Sequence, residues 1–118
     1  MTVKLAILKS GENIISDIKE GFYEDRLVCY ILENPFLVKV TGLYSINGKE
    51  DQHSISLSKW PLLSKENTIE IVPEFIVTLV DPVDQLKDIY KNQVLGDIEH
   101  ERSKIDLVSD ESNNSESN

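Results

Sequence analysis

Chemistry needs side chains that ionise, ligate or attack, held close together. The chain offers His53, His100, one cysteine (Cys29), and many serines and carboxylates. The histidines lie far apart, and neither has a Cys or His at zinc-ligand spacing, so no metal site is expected. His53 follows Asp51-Gln52 and reads as a solvated loop residue. Cys29 stands in the apolar run Leu27–Leu32 and has no partner for an internal disulfide. It reads as a small buried hydrophobe rather than an activated thiol. No serine sits in a Gly-x-Ser-x-Gly elbow. The five glycines are scattered singly, so no loop cradles phosphates. One carboxylate interrupts an apolar run: Glu74, between Pro73 and Phe75. A turn residue facing water is its default reading, and a buried acid with a role is the other. No catalytic residue, metal or cofactor is assigned, and a small enzyme is the least favoured reading.

Nucleic-acid binding calls for a basic stripe interleaved with aromatics. Lys4, Lys9, Lys19, Lys39 and Lys59 are single lysines on separate strands, and nothing in the sequence makes them converge. Phe22, Tyr23, Tyr30, Phe36, Tyr44 and Trp60 read as core or interface rather than stacking platforms. Tyr44 and Trp60, large and amphipathic near strand ends, are the interface candidates.

The charge is uneven. Residues 1–96 carry ten Lys/Arg against fourteen Asp/Glu, net −4, and residues 97–118 carry two against seven, net −5. Acidity is therefore mainly a property of the C-terminal tail. The first 96 residues read as one small domain, with 40% apolar residues over the whole chain, enough for one modest core. No run is long and apolar enough for a membrane span, and Met1–Leu5 does not read as a signal peptide, so a cytoplasmic protein is expected. Ser109–Asn118 contains only Ser, Asp, Glu and Asn, so the tail is expected to be disordered.

Val3–Leu8 and Asn13–Lys19 read as a hairpin around Ser10-Gly11, with Gly21 ending the pair. Ile14, Ile15 and Ile18 break a strict period of two, as in a strand buried on both faces or one that is bulged and bent. Leu27–Leu32 is a third strand. Glu33-Asn34-Pro35 interrupts it, and Phe36–Leu43 resumes a β pattern. Asn47-Gly48 is the strongest hairpin turn signal. Ser54–Trp60 returns with serines on one face and apolar residues on the other. Ile69–Val72 and Phe75–Val80 are two short strands split by Pro73-Glu74, because proline has no N–H for a ladder. Asp81-Pro82 then predicts a helix start with Asp81 as the cap, and a helix over about 82–95. Its apolar stripe is Val83, Leu86, Ile89, Tyr90 and Val94, and Gly96 is its stop.

This order of elements resembles the Sm-like small β-barrel. Leu8-Lys9-Ser10-Gly11-Glu12 is similar to that family's first hairpin, which commonly reads leucine-lysine-asparagine-glycine. Ile69–Val80 is similar to its last two strands, and the resemblance spans Val3–Val80. Leu32–Pro35, Trp60-Pro61 and Asp81-Pro82 ahead of a helix with Tyr90 also resemble uncharacterised Sm-like proteins of T4-related marine phages. The resemblance implies a strongly bent antiparallel barrel, here followed by a C-terminal helix and the acidic tail. It implies a homo-oligomeric ring of about five to seven subunits, closed by pairing of border strands between neighbours. Ile69, Ile71, Phe75, Val77 and Leu79 are then the interface residues. It also implies single-stranded RNA at the pore. The turn that holds RNA with an arginine-glycine pair here reads Val72-Pro73-Glu74, and Asn34, near the family's asparagine pocket, is followed by proline. The fold and the assembly are therefore carried over to this chain, and the RNA site is not. An assembly or protein-interaction scaffold is the first reading. An RNA-binding ring using the five lysines is the second.

Overall fold

A computed structural model describes residues 1–41 and 54–97. Six strands run β1 (Val3–Leu8), β2 (Asn13–Tyr23), β3 (Arg26–Thr41), β4 (Ser54–Lys59), β5 (Thr68–Ile71) and β6 (Ile76–Val80). A 3-10 turn at Pro73–Phe75 separates the last two, and a helix, α1, covers residues 84–97. All pairings are antiparallel, in one unclosed sheet of order β4-β3-β2-β1-β6, with β5 paired to β3. Tyr44, the Asn47-Gly48 turn, His53, His100 and the tail beyond residue 97 lie outside the described residues.

β1 has the predicted bounds, and its turn to β2 follows from Gly11. That residue takes φ 90°, a region open to glycine without a Cβ penalty. The turn is closed by Gly11 N–H to the Leu8 carbonyl and Leu8 N–H to the Glu12 carbonyl, both 2.9 Å. β2 runs four residues further than Lys19. Gly21 does not end it but pairs with Cys29 inside the ladder. A Cβ built at Gly21 would lie 2.5 Å from the Cys29 Sγ, so the glycine makes room for a cross-strand thiol. The real turn is Glu24-Asp25, both at positive φ (50° and 61°), the geometry of a tight two-residue hairpin.

β3 is continuous where the sequence suggested an interruption. Asn34 adopts φ 51° and stays in the strand path. The ladder with β2 jumps from Ile15↔Phe36 to Asp17↔Glu33, so Asn34 and Pro35 together face Ser16. This irregularity bends the strand and divides its outer edge: residues Phe36–Thr41 take β4, and Tyr30–Glu33 take β5. The groups freed at the bend find partners in the β4–β5 connection. Asn34 N–H donates to the Asn67 carbonyl at 2.7 Å, and Trp60 N–H to the Pro35 carbonyl at 3.1 Å.

The bend gives the sheet two apolar faces. On one, Val3, Ile15 and Phe36 pack against Leu86, Tyr90 and Val94 of α1, with Leu5, Val38, Ile55 and Leu57 around them. On the other, Ala6, Leu8, Ile14, Ile18, Leu32 and Ile71 form a second cluster, margined by Tyr30, Leu37, Trp60, Ile69, Ile76 and Leu79. Ile14 and Ile18 thus face one side and Ile15 the other, and the broken alternation of β2 reflects burial on both faces. In α1 the spacing of four between Leu86, Tyr90 and Val94 makes the buried stripe, while Val83, expected in it, is exposed before the helix begins. The helix starts later than Asp81-Pro82 suggested: its first bond runs from Lys87 N–H to the Val83 carbonyl, 3.0 Å. Asp81 accepts an ion-paired hydrogen bond from Lys4 on β1 instead of capping the helix. That pairing holds the Asp81 carboxyl below its usual pKa.

Candidate functional site

Border strands have one hydrogen-bonded neighbour, so half of their backbone groups point away from the sheet. Among the described residues three strands are borders: β4 and β5 each pair with β3 only, and β6 with β1 only. β5 and β6 do not pair with each other, because Val72 and the 3-10 turn redirect the chain between them. Pro73 favours this turn: its φ is fixed and it has no N–H to offer a ladder. Phe75 N–H closes on the Val72 carbonyl at 3.1 Å, and Lys9 N–H ties the turn to the first hairpin through the Phe75 carbonyl at 2.8 Å. β6 then meets β1 with a register shift between Leu8↔Ile76 and Ile7↔Thr78, which leaves Val77 as the extra residue. The bulge turns Val77 outward to 64% exposure, while Ile76 and Leu79 stay against the second cluster.

The five residues named for an interface therefore divide. Ile71 is buried in its own chain, and Ile69 and Leu79 are half-buried at the cluster margin. Phe75 and Val77 are exposed, with Val72 and Val80 beside them. Glu74 is exposed at the turn, in keeping with a residue facing water. Trp60 is half-buried against the second cluster, on the β5 side of the sheet.

The lysines do not form a stripe. Lys4 pairs with Asp81, Lys19 with Glu33 at 2.9 Å, and Lys59 donates to the Ser64 carbonyl. The hydrogen bond that Lys19 donates to Glu33, and the Glu33 charge, raise the Lys19 pKa. Lys9 is exposed in the β1–β2 turn and Lys39 on β3.

One polar cluster escaped the sequence reading. Ser16 and Asp17 are buried at the β2–β3 irregularity, inside the apolar run Ile14–Ile18. That a charged residue stood between isoleucines was visible in the sequence, and Asp17, not Glu74, is the buried acid. The Asp17 carboxylate accepts Thr2 N–H at 2.9 Å, and its own N–H donates to the Tyr90 hydroxyl at 3.0 Å. That hydroxyl faces the carbonyls of Glu33 and Asn34, each at 3.0 Å, with one proton to give. The Ser16 hydroxyl reaches the Glu33 carbonyl at 2.8 Å. Tyr90 thus fills the gap that the bulge opens in the ladder, and Phe36 meets its ring edge-to-face at 6.0 Å. Burial pushes the Tyr90 phenol above its usual pKa, so it stays protonated. Its bonds are to backbone groups, and among the described residues no buried side-chain polar atom lacks a partner. This is a structural joint between α1 and the sheet.

Among the described residues no group of three His, Cys, Asp or Glu could hold a metal ion, and no helix is long and apolar enough to cross a membrane. The features left with unmet backbone bonding capacity are the open sides of β4, β5 and β6. Residues 1–95 match the sequence model of a family described as "Family of unknown function (DUF6561)", which covers all three borders and most of α1; the chain belongs to that family. No curated protein matches it.

Proposed function

We propose that this DUF6561 member is a non-enzymatic assembly module whose copies join β5 of one chain to β6 of the next. One observation carries the reading: among the described residues β5 and β6 are each bonded on one side only and both contribute apolar residues to the same core cluster, whereas β4, the third open border, packs Ile55 and Leu57 against the other cluster. Ile69 and Ile71 of β5 and Ile76 and Leu79 of β6 line the same face, so joining two borders continues both the ladder and the core across the interface. Each added backbone hydrogen bond contributes a net of about 0.5–1.5 kcal/mol, and burial of the half-exposed margin adds to it. The two borders are different surfaces. Their contact is head-to-tail, which gives a ring when the rotation closes. A ring of Sm-like barrels, each completed by its neighbour's strand, is the architecture we favour.

An RNA-binding ring is less well supported. The turn between β5 and β6 presents Glu74, and three of the five lysines are held by partners in their own chain. Light scattering after size-exclusion chromatography tests the proposal. We expect a mass several times that of one chain, and a monomer for Val77→Lys, which places a charge on the exposed border without touching the core. A wild-type monomer at high concentration refutes the assembly.

A further inference from the structure

The connection between β4 and β5 carries a feature that no core cluster of the described residues uses. Ser64 N–H donates to the Pro61 carbonyl at 3.2 Å, which makes Pro61–Ser64 a turn with Leu62 and Leu63 at its tip. Leu63 is 98% exposed and Leu62 is 70% exposed. The turn is tied down at Ser64 and through the residues that flank it. Lys59 Nζ bonds the Ser64 carbonyl, Glu66 N–H reaches the Ser64 hydroxyl at 3.0 Å, and Trp60 N–H and the Asn67 carbonyl are fixed to the bend of β3. Two leucines held out to water on a fixed turn lose little conformational freedom when a partner covers them, and that is how a binding knob is built.

Strand direction identifies what the knob meets. Every pair in the sheet is antiparallel. If β6 of the next copy adds to β5 in the same sense, Thr68 lies opposite the end of that strand at Val80. The turn precedes Thr68, so it overhangs the segment that follows Val80. There Val83 is exposed and Pro82 half-buried, and neither belongs to a core cluster. We infer that Leu62 and Leu63 form a knob that seats on Val80, Pro82 and Val83 of the neighbouring copy, extending the contact beyond the strands. A four-residue strand alone offers little area beside the roughly 1,200–2,000 Å² of a stable interface, and the knob adds apolar surface to it. This inference rests on the assembly proposed above and specifies its polarity.

The experiment uses the full chain. In a Cys29→Ala background, Leu63→Cys is combined with Val83→Cys, or with Phe75→Cys as the position a parallel pairing would bring close. Mild oxidation of the first pair yields a ladder of covalent multimers on a non-reducing gel, and oxidation of the second does not. Leu62→Ser with Leu63→Ser raises the midpoint concentration of assembly at least about ten-fold, about 1.4 kcal/mol, without changing the unfolding of the isolated chain. A wild type that assembles, with no Leu63–Val83 ladder and an unchanged midpoint in the double serine variant, overturns the knob and leaves the assembly standing. A ladder through Phe75 overturns its polarity. A wild type that never assembles removes both.

Discussion

Tyr90→Phe isolates the joint between α1 and the sheet. The phenyl ring keeps its edge-to-face contact with Phe36 and its place in the first cluster, so only the hydroxyl is lost. Asp17 N–H then has no acceptor at a buried position. An unsatisfied buried donor costs about 1–3 kcal/mol. On the donor side, the Glu33 carbonyl keeps the Ser16 hydroxyl, so the loss there is smaller, about 0.5–1 kcal/mol. Together these give a destabilisation of about 1.5–4 kcal/mol. For a domain of this size that is a fall in Tm of roughly 6–32 °C, at about 4–8 °C per kcal/mol. Urea unfolding followed by circular dichroism, at a concentration where wild type and variant are in the same assembly state, measures it. The midpoint should fall with an unchanged slope, since the surface exposed on unfolding is the same. A loss below about 0.5 kcal/mol would refute the account, because the bulge would then be satisfied without the hydroxyl.

Three further outcomes follow from the same structure. The raised Tyr90 pKa means the folded chain keeps a proton that the unfolded chain releases above pH 10, so stability is full below that pH and falls as pH rises above it. Tyr90→Phe removes this part of the alkaline loss, while the exposed Lys19–Glu33 pair contributes alike to both proteins; equal alkaline slopes in the two would contradict the linkage. Gly21→Ala should destabilise by about 1–3 kcal/mol through the clash with the Cys29 Sγ, and Cys29→Ala should restore most of it in a double-mutant cycle. Additive effects would mean the two side chains do not meet. Lowering the pH below about 3.8 should weaken the tie between β1 and the segment after β6, since Asp81 is held ionised by Lys4 and its contribution is lost as pH falls through its depressed value. Lys4→Met should abolish that acid sensitivity as read by amide exchange near Asp81.

Local patterning carried much of the fold. The Ser10-Gly11 turn bounded β1, serine alternation marked β4, and the missing N–H of Pro73 placed the break between β5 and β6. The spacing of Leu86, Tyr90 and Val94 found the buried face of α1. What the sequence hid is non-local. Asn34-Pro35 looked like a strand end, because nothing in one segment reveals that Asn67 and Trp60 will bond the groups freed there. Gly21 looked like a terminator, because its need for space comes from Cys29 across the ladder. Asp81-Pro82 has the residues of a helix cap, and a lysine far away in sequence claims the aspartate. The Tyr90 joint belongs to the same class: an apolar stripe foretells the ring's burial, while its hydroxyl answers a gap made by two strands. The open borders themselves were anticipated only through the order of elements, and Ile71, named for an interface, is buried in its own chain.

Hydrogen exchange resolved along β5 and β6 tests the central claim most directly, because it reads the backbone groups that copies are proposed to share. In concentrated protein the outward amides of Thr68–Ile71 and Ile76–Val80 should be protected, and dilution or Val77→Lys should release them while β1 and β2 stay protected. Fast exchange of those border amides at every concentration, beside a protected β1 and β2, would contradict it.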